Sequence, residues 1–147
     1  AAIEGRLGEV RIRSTTGVTG QELEERYDAT PAGGEPRLFV QRNDTGMVAN
    51  ETRAWQPLGD RAGWLIGTSY TYNRNRMTRA LGRPDQPGAV TGVTNVLREF
   101  TTYGEGSLRI GEGLIATLGA RYTRSRLSGE AEDISPTLSP SLLAALA

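Results

Sequence analysis

From Leu114 to Thr123 the sequence changes character at every residue. Leu114, Ala116, Leu118, Ala120 and Tyr122 make one set; Ile115, Thr117, Gly119, Arg121 and Thr123 make the other. Successive side chains of a strand point to opposite faces, so a period of two with an apolar and a mostly small or polar set describes a strand between two environments. The stretch before it, Val96 to Ile110, reads as a partner strand, and Gly111-Glu112 as the tight turn that joins the pair.

The rest of the chain extends this pattern. Gly8 to Asp28 reads as one long strand, with Val10, Ile12, Thr16 and Val18 on one face and Arg11, Arg13, Thr15, Thr19 and Gln21 on the other. Its far end, Gln21 to Asp28, also suits a helical turn, although the flanking Gly and Thr do not. Ala29 to Pro36 is a loop by composition. Arg37 to Trp55 is extended, and Asn43 to Gly46 within it is either a hairpin turn or a bulge, with the bulge in one long strand preferred. Pro57 to Asp60 is a turn, and Gly63 to Asn75 the next strand. Arg76 to Thr94 reads as a long polar connection containing Pro84 and Pro87, and Ser128 to Pro136 as an acidic loop. The tail from Ile134 begins another strand or, by its LLAALA ending, a helix. The chain starts without Met and stops in mid-pattern, which suggests a piece of something longer.

Composition narrows the function. The chain has no Cys and no His, which removes disulfides, thiolate metal sites, imidazole acid–base chemistry and most zinc sites. No nucleophile–base or metal constellation remains, so an enzyme is not expected, nor a metal or cofactor. The acids Asp85, Glu130, Glu132 and Asp133 lack the oxygen spacing of a calcium loop. The formal net charge is +0, so bulk attraction to nucleic acid is not indicated. Every one of the 17 basic residues is Arg, each a planar fork able to pair with carboxylate or phosphate. No apolar run approaches the ~20 residues of a transmembrane helix, and no signal peptide is visible because Ala1 to Arg13 is charged throughout.

Short connections (57–61 and 110–113) alternate with long polar ones (29–36, 76–94 and 127–137). An up-and-down antiparallel sheet with short turns at one end and long loops at the other is the pattern of an outer-membrane barrel. The expected fold over residues 1–147 is therefore all-β: an antiparallel meander of about five long strands forming an open segment of a transmembrane β-barrel. Trp64, Tyr70, Tyr72 and Tyr122 fall on the apolar parity and are candidate membrane-girdle aromatics. Glu51, Arg53, Glu105, Arg109 and Arg121 fall on the other and are candidate lumen-facing residues, either contacting solute or pairing along the wall. The same charges in a dry sandwich core cost several kcal/mol each unless paired. Arg74, Arg76, Arg79 and Arg83 are candidate anion-binding residues at a strand end and in its loop, open to an anionic ligand or to lipopolysaccharide phosphates.

Phe100-Thr101-Thr102-Tyr103-Gly104-Glu105-Gly106-Ser107-Leu108, a short turn, then Leu114 through Tyr122 resembles a hairpin of TonB-dependent outer-membrane receptors. Asn50-Glu51-Thr52-Arg53, a turn, then Gly63-Trp64-Leu65-Ile66-Gly67-Thr68-Ser69-Tyr70 is similar to the hairpin before it, and Tyr27-Asp28-Ala29-Thr30 to the end of the preceding strand. The resemblance runs from Val10 to Leu127. It implies a segment of a barrel of about 22 strands with a plugged lumen. It also implies a Gram-negative outer membrane, partnership with outer-membrane lipid and the inner-membrane TonB complex, and uptake of a scarce nutrient such as an iron–siderophore complex. Plug, TonB box and closing strands are not in this sequence. A passive outer-membrane porin or channel segment, or a soluble β-rich binding module, are the alternatives.

Overall fold

The computed structural model describes residues 1–86, 88–111 and 113–132. They form one six-stranded antiparallel sheet whose spatial order is the chain order. The strands are β1 (Ala2–Leu7), β2 (Val10–Asp28), β3 (Leu38–Gln56), β4 (Ala62–Gly82), β5 (Ala89–Arg109) and β6 (Ile115–Glu132). No helix occurs among the described residues. The all-β, up-and-down expectation holds, with one strand more than the alternation revealed.

That extra strand is β1. Residues 1 to 7 do alternate, with Ile3, Gly5 and Leu7 on one parity and Glu4 and Arg6 on the other, but the run is too short to mark a strand by itself. Pairing creates the strand instead: Leu7 lies opposite Val10, and Gly8-Glu9 closes the hairpin. Gly8 has φ 61, and among the described residues no non-glycine residue has positive φ, so the turn is the two-residue form with glycine first. The strand's far end is tied by Ala1 and Thr16, whose backbone groups exchange bonds of 2.7 and 2.8 Å.

Three strands run further than sequence reading places them. The 76–94 connection shrinks to 83–88, since β4 continues to Gly82 and β5 starts at Ala89. Residues 128–132 belong to β6 rather than to an acidic loop, and Gln21 to Asp28 belongs to β2 rather than to a helical turn. The contrast between short and long connections is correspondingly weaker. These strand ends lack hydrophobic alternation, which is why composition reads them as loops. Ladder hydrogen bonds and polar cross-strand pairs hold them instead. β3 passes through Asn43 to Gly46 as one strand, so no hairpin forms there. The second residue of the 111–112 turn, Asp133 and the tail lie outside the described residues.

The chain divides into two compact units. The first comprises Ala1–Thr19, Met47–Asn73 and Leu97–Leu127. In it, Ser107 Oγ lies 2.9 Å from Thr117 Oγ1, Thr101 Oγ1 lies 3.0 Å from Thr123 Oγ1, and Ser125 Oγ donates to Glu99 at 2.8 Å. Each step down β5 is matched by an equal step up β6, which fixes a directly opposed register. Thr101 is the one nearly inaccessible side chain among those described, at 1% exposure.

The second unit comprises Gly20–Gly46, Arg74–Val96 and, among described residues, 128–132. It is held by polar pairs: Asn75 to Thr45 at 3.1 Å, Arg79 to Gln41 at 3.1 Å, and Gln41 in turn to Glu25 at 3.1 Å. Tyr27 and Phe39 supply a tilted aromatic contact with ring centroids 6.1 Å apart.

What is absent is a core. Among the described residues no apolar side chain is buried. The apolar parity of the first unit is bare: Leu114 is 59%, Leu118 83% and Tyr122 61% exposed.

Candidate functional site

The opposite, odd-numbered parity of the first unit holds a polar trough. It exists because one bulky side chain lies over a residue that has none. Gly67 on β4 is buried, and a Cβ placed on it would run into the ring of Tyr103 from β5. The ring therefore lies flat across the glycine, an aromatic–glycine pairing that fills the gap left in the strand. In that position the Tyr103 hydroxyl lies over β4 and donates to Glu51 Oε1 from β3 at 2.5 Å. Thr15, Glu51, Ser69, Thr71, Tyr103 and Arg121 line the resulting space of about 650 Å³.

A smaller recess of about 270 Å³ adjoins it, lined by Arg13, Thr15, Glu51 and Arg53. The Arg53 guanidinium stacks over Trp55, 5.3 Å from the ring centroid. Arg13 Nε lies 3.3 Å from a Glu4 carboxylate oxygen, close enough for an ion pair but not aligned as a hydrogen bond. The trough is thus hydroxyl-rich, with Arg13, Arg53 and Arg121 around the one lining carboxylate, Glu51, and its chemistry favours an anionic or oxygen-rich occupant. No cluster of acidic side chains able to hold a metal ion occurs among the described residues.

Of the lumen-facing candidates, Glu51, Arg53 and Arg121 converge on these recesses. Glu105 does not line them; it stands exposed beside Gly119 on the next strand. Arg109 is the last residue of β5, exposed at the turn, where its backbone N–H bonds Arg61 at 2.8 Å. No ion pair links these five candidates to one another, so wall-to-wall salt bridges are not how the trough is held. Glu51 takes a phenol instead. Tyr103, the residue that organises the site, was visible only as a motif letter; the signal for it was a tyrosine and a glycine that must face each other across paired strands.

The loop anion site needs correction. Arg74, Arg76 and Arg79 lie within β4, and only Arg83 sits in the connection, bridged to Gln86. The strand's period of two sends Arg74 and Arg76 to one face and Arg79 to the other, so the four do not form one loop cluster. Arg79 donates to Gln41. Arg83 instead joins Arg37 and Glu35 around a recess of about 240 Å³.

The girdle candidates share the even-numbered parity. Trp64 Nε1 donates to Gln56 at 3.1 Å, and Gln56 donates to Glu9 at 2.9 Å, a relay near the 57–61 turn. Tyr70 and Tyr122 are exposed, and the Arg98 guanidinium lies 5.8 Å from the Tyr72 ring centroid. One part of this parity is not apolar. Ser14, Thr16, Asn50 and Thr52 form a hydrogen-bonded cluster, with Asn50 donating to Thr16 at 2.8 Å and the Ser14 and Thr52 hydroxyls 2.9 Å apart. Mutual bonding satisfies groups that are costly in an apolar medium.

Comparison with protein-family models and with curated proteins found no match.

Proposed function

We propose that this chain is part of the wall of an outer-membrane β-barrel, the even parity of β2 to β6 toward lipid and their odd parity toward a wet lumen. The observation that supports this best is the combination of no buried apolar side chain among the described residues with a bare face bearing Leu114, Leu118 and Tyr122. Water is a poor neighbour for contiguous apolar surface, and a lipid phase is a good one. Among the described residues no helix is long and apolar enough to cross a membrane. β2 to β6 contain 18 to 21 residues each, more than the ~9–11 needed to cross the hydrocarbon.

The particular barrel proposed is that of a TonB-dependent receptor of a Gram-negative outer membrane, taking up a scarce solute such as an iron–siderophore complex with energy from the TonB complex. The hairpin motifs support it, as does the arginine- and hydroxyl-lined trough, which suits an anionic chelate.

The test uses the absence of native cysteine. Single cysteines placed from Leu114 to Thr123 are labelled with a nitroxide after the protein is folded into vesicles. Even positions should collide with lipid-soluble oxygen and odd positions with a water-soluble nickel chelate. A flat profile overturns the membrane reading. Binding of a ferric siderophore that is lost in Tyr103→Ala and Arg121→Gln tests the receptor reading separately.

A further inference from the structure

We propose that Arg98, Arg124 and Arg126 form a site for the phosphate of a membrane lipid headgroup; the inference rests on the barrel-wall reading. The β5–β6 register places it. Pairing of Thr101 with Thr123 and of Glu99 with Ser125 puts Arg98 directly opposite Arg126, and Phe100 opposite Arg124. All three arginines occupy even positions, the parity of Leu118 and Tyr122, and all three are exposed. Like charges directly opposite on one sheet face destabilise it. No acid nearby on that face relieves them. The acids of β5, Glu99 and Glu105, have the opposite parity, and Glu130, the nearest carboxylate on the even parity of β6, is four residues beyond Arg126. No ion pair involves any of the three among the described residues.

Position says what relieves the repulsion. Along β6, Leu114, Leu118 and Tyr122 precede Arg124 and Arg126, so the charges begin where the apolar run stops. The Tyr72 ring, an amphipathic group of the kind found at headgroup level, lies under the Arg98 guanidinium. Three planar forks at the edge of an apolar band match a phosphate held at the lipid surface, with each guanidinium able to bind oxygen in pairs. A soluble phosphate could meet the same forks but gains nothing from the apolar band beside them, so the lipid is the committed occupant.

The experiment folds the protein into phosphatidylcholine vesicles containing a trace of spin-labelled phosphatidic acid or spin-labelled phosphatidylcholine, and reads the motionally restricted lipid fraction. Phosphatidic acid should be selected over phosphatidylcholine. A combined Arg98→Gln, Arg124→Gln, Arg126→Gln variant should lose roughly fivefold selectivity per arginine. Arg11→Gln, on the other parity of β2, should lose none. The triple variant should fold at least as well in pure phosphatidylcholine, because the repulsion is gone. Insertion without selectivity, or equal selectivity in the triple variant, overturns this inference alone. Displacement of the labelled lipid by millimolar inorganic phosphate overturns the lipid assignment. Failure to insert overturns both this inference and the barrel-wall reading.

Discussion

Tyr103 on β5 covers Gly67 on β4, and from that perch its hydroxyl donates to Glu51 on β3 at 2.5 Å. One side chain thereby clasps three strands. The clasp depends on glycine more than on the hydrogen bond. Any Cβ at position 67 must displace the ring, and a displaced ring loses both its packing and its reach to Glu51. Gly67→Ala should therefore destabilise by about 1–3 kcal/mol, as overpacking does. Tyr103→Phe keeps the ring in place and gives up one bond to an exposed carboxylate, so it should cost about 1 kcal/mol or less. Urea unfolding of the vesicle-folded protein, read by tryptophan fluorescence, ranks the two; the reverse order would mean that the ring is not seated on Gly67.

Leu118 and Thr117 are neighbours in sequence and face opposite sides. Arginine at 118 should be expelled by lipid at about 2–4 kcal/mol if the site is near the bilayer midplane. Arginine at 117 enters the polar parity and forfeits only the 2.9 Å bond to Ser107, an expected cost of about 1 kcal/mol. Equal penalties in lipid, measured by the same unfolding curves, would count against two different environments.

Gly8 has φ 61 at the first position of the β1–β2 turn, a conformation that L-residues avoid. Space is not the obstacle, since a Cβ there meets nothing within 4 Å. Gly8→Ala should thus cost about 1 kcal/mol through backbone strain alone, and hydrogen exchange should rise at Leu7 and Val10 while β5 and β6 stay protected.

Where alternation is strong, sequence and structure agree: the Leu114–Thr123 faces, the strand after the 57–61 turn and the parity of Glu51, Arg53 and Arg121 were all legible. Where a strand is held by pairing, sequence is silent. β1 alternates over only six residues and becomes a strand because β2 is beside it, and Arg74 to Gly82 is strand because Thr45 and Gln41 oppose Asn75 and Arg79. Polar composition looks like a loop to any local rule, and only the partner decides. The trough was half legible for a related reason. Charge marks Glu51 and Arg121, but Tyr103 acts through Gly67, and a glycine's partner is not written beside it.

Crossing takes only about 9–11 of the 19 residues of β2, and its apolar alternation ends at Val18, so the charged Gln21 to Asp28 end lies beyond the crossing segment and acid sensitivity should appear first there, at Glu24. Its carboxylate accepts from Arg42 Nε at 2.6 Å and from Arg26 Nε at 2.6 Å, and the Arg42 hydrogen bond is the larger cause holding its pKa below the ordinary glutamate value. Asp28 is also lowered, by hydrogen bonds from Thr30. A depressed folded value means the unfolded chain binds the proton more tightly. The stabilisation is therefore fully present above the unfolded carboxylate pKa and is lost as pH falls through the folded one. Arg42→Gln removes the larger cause, so the Glu24 carboxyl resonance should titrate at higher pH than in the parent, and the acid limb of the stability profile should flatten. Tyr27 sets the opposite limb. Its hydroxyl donates to Glu25 at 3.1 Å, which raises its pKa, so this contribution is present below the ordinary tyrosine value and is lost as pH rises through the folded one. Tyr27→Phe should flatten the alkaline side and leave the Glu24 midpoint where it was. A Glu24 midpoint unchanged in Arg42→Gln would show that the 2.6 Å pair does not persist in solution.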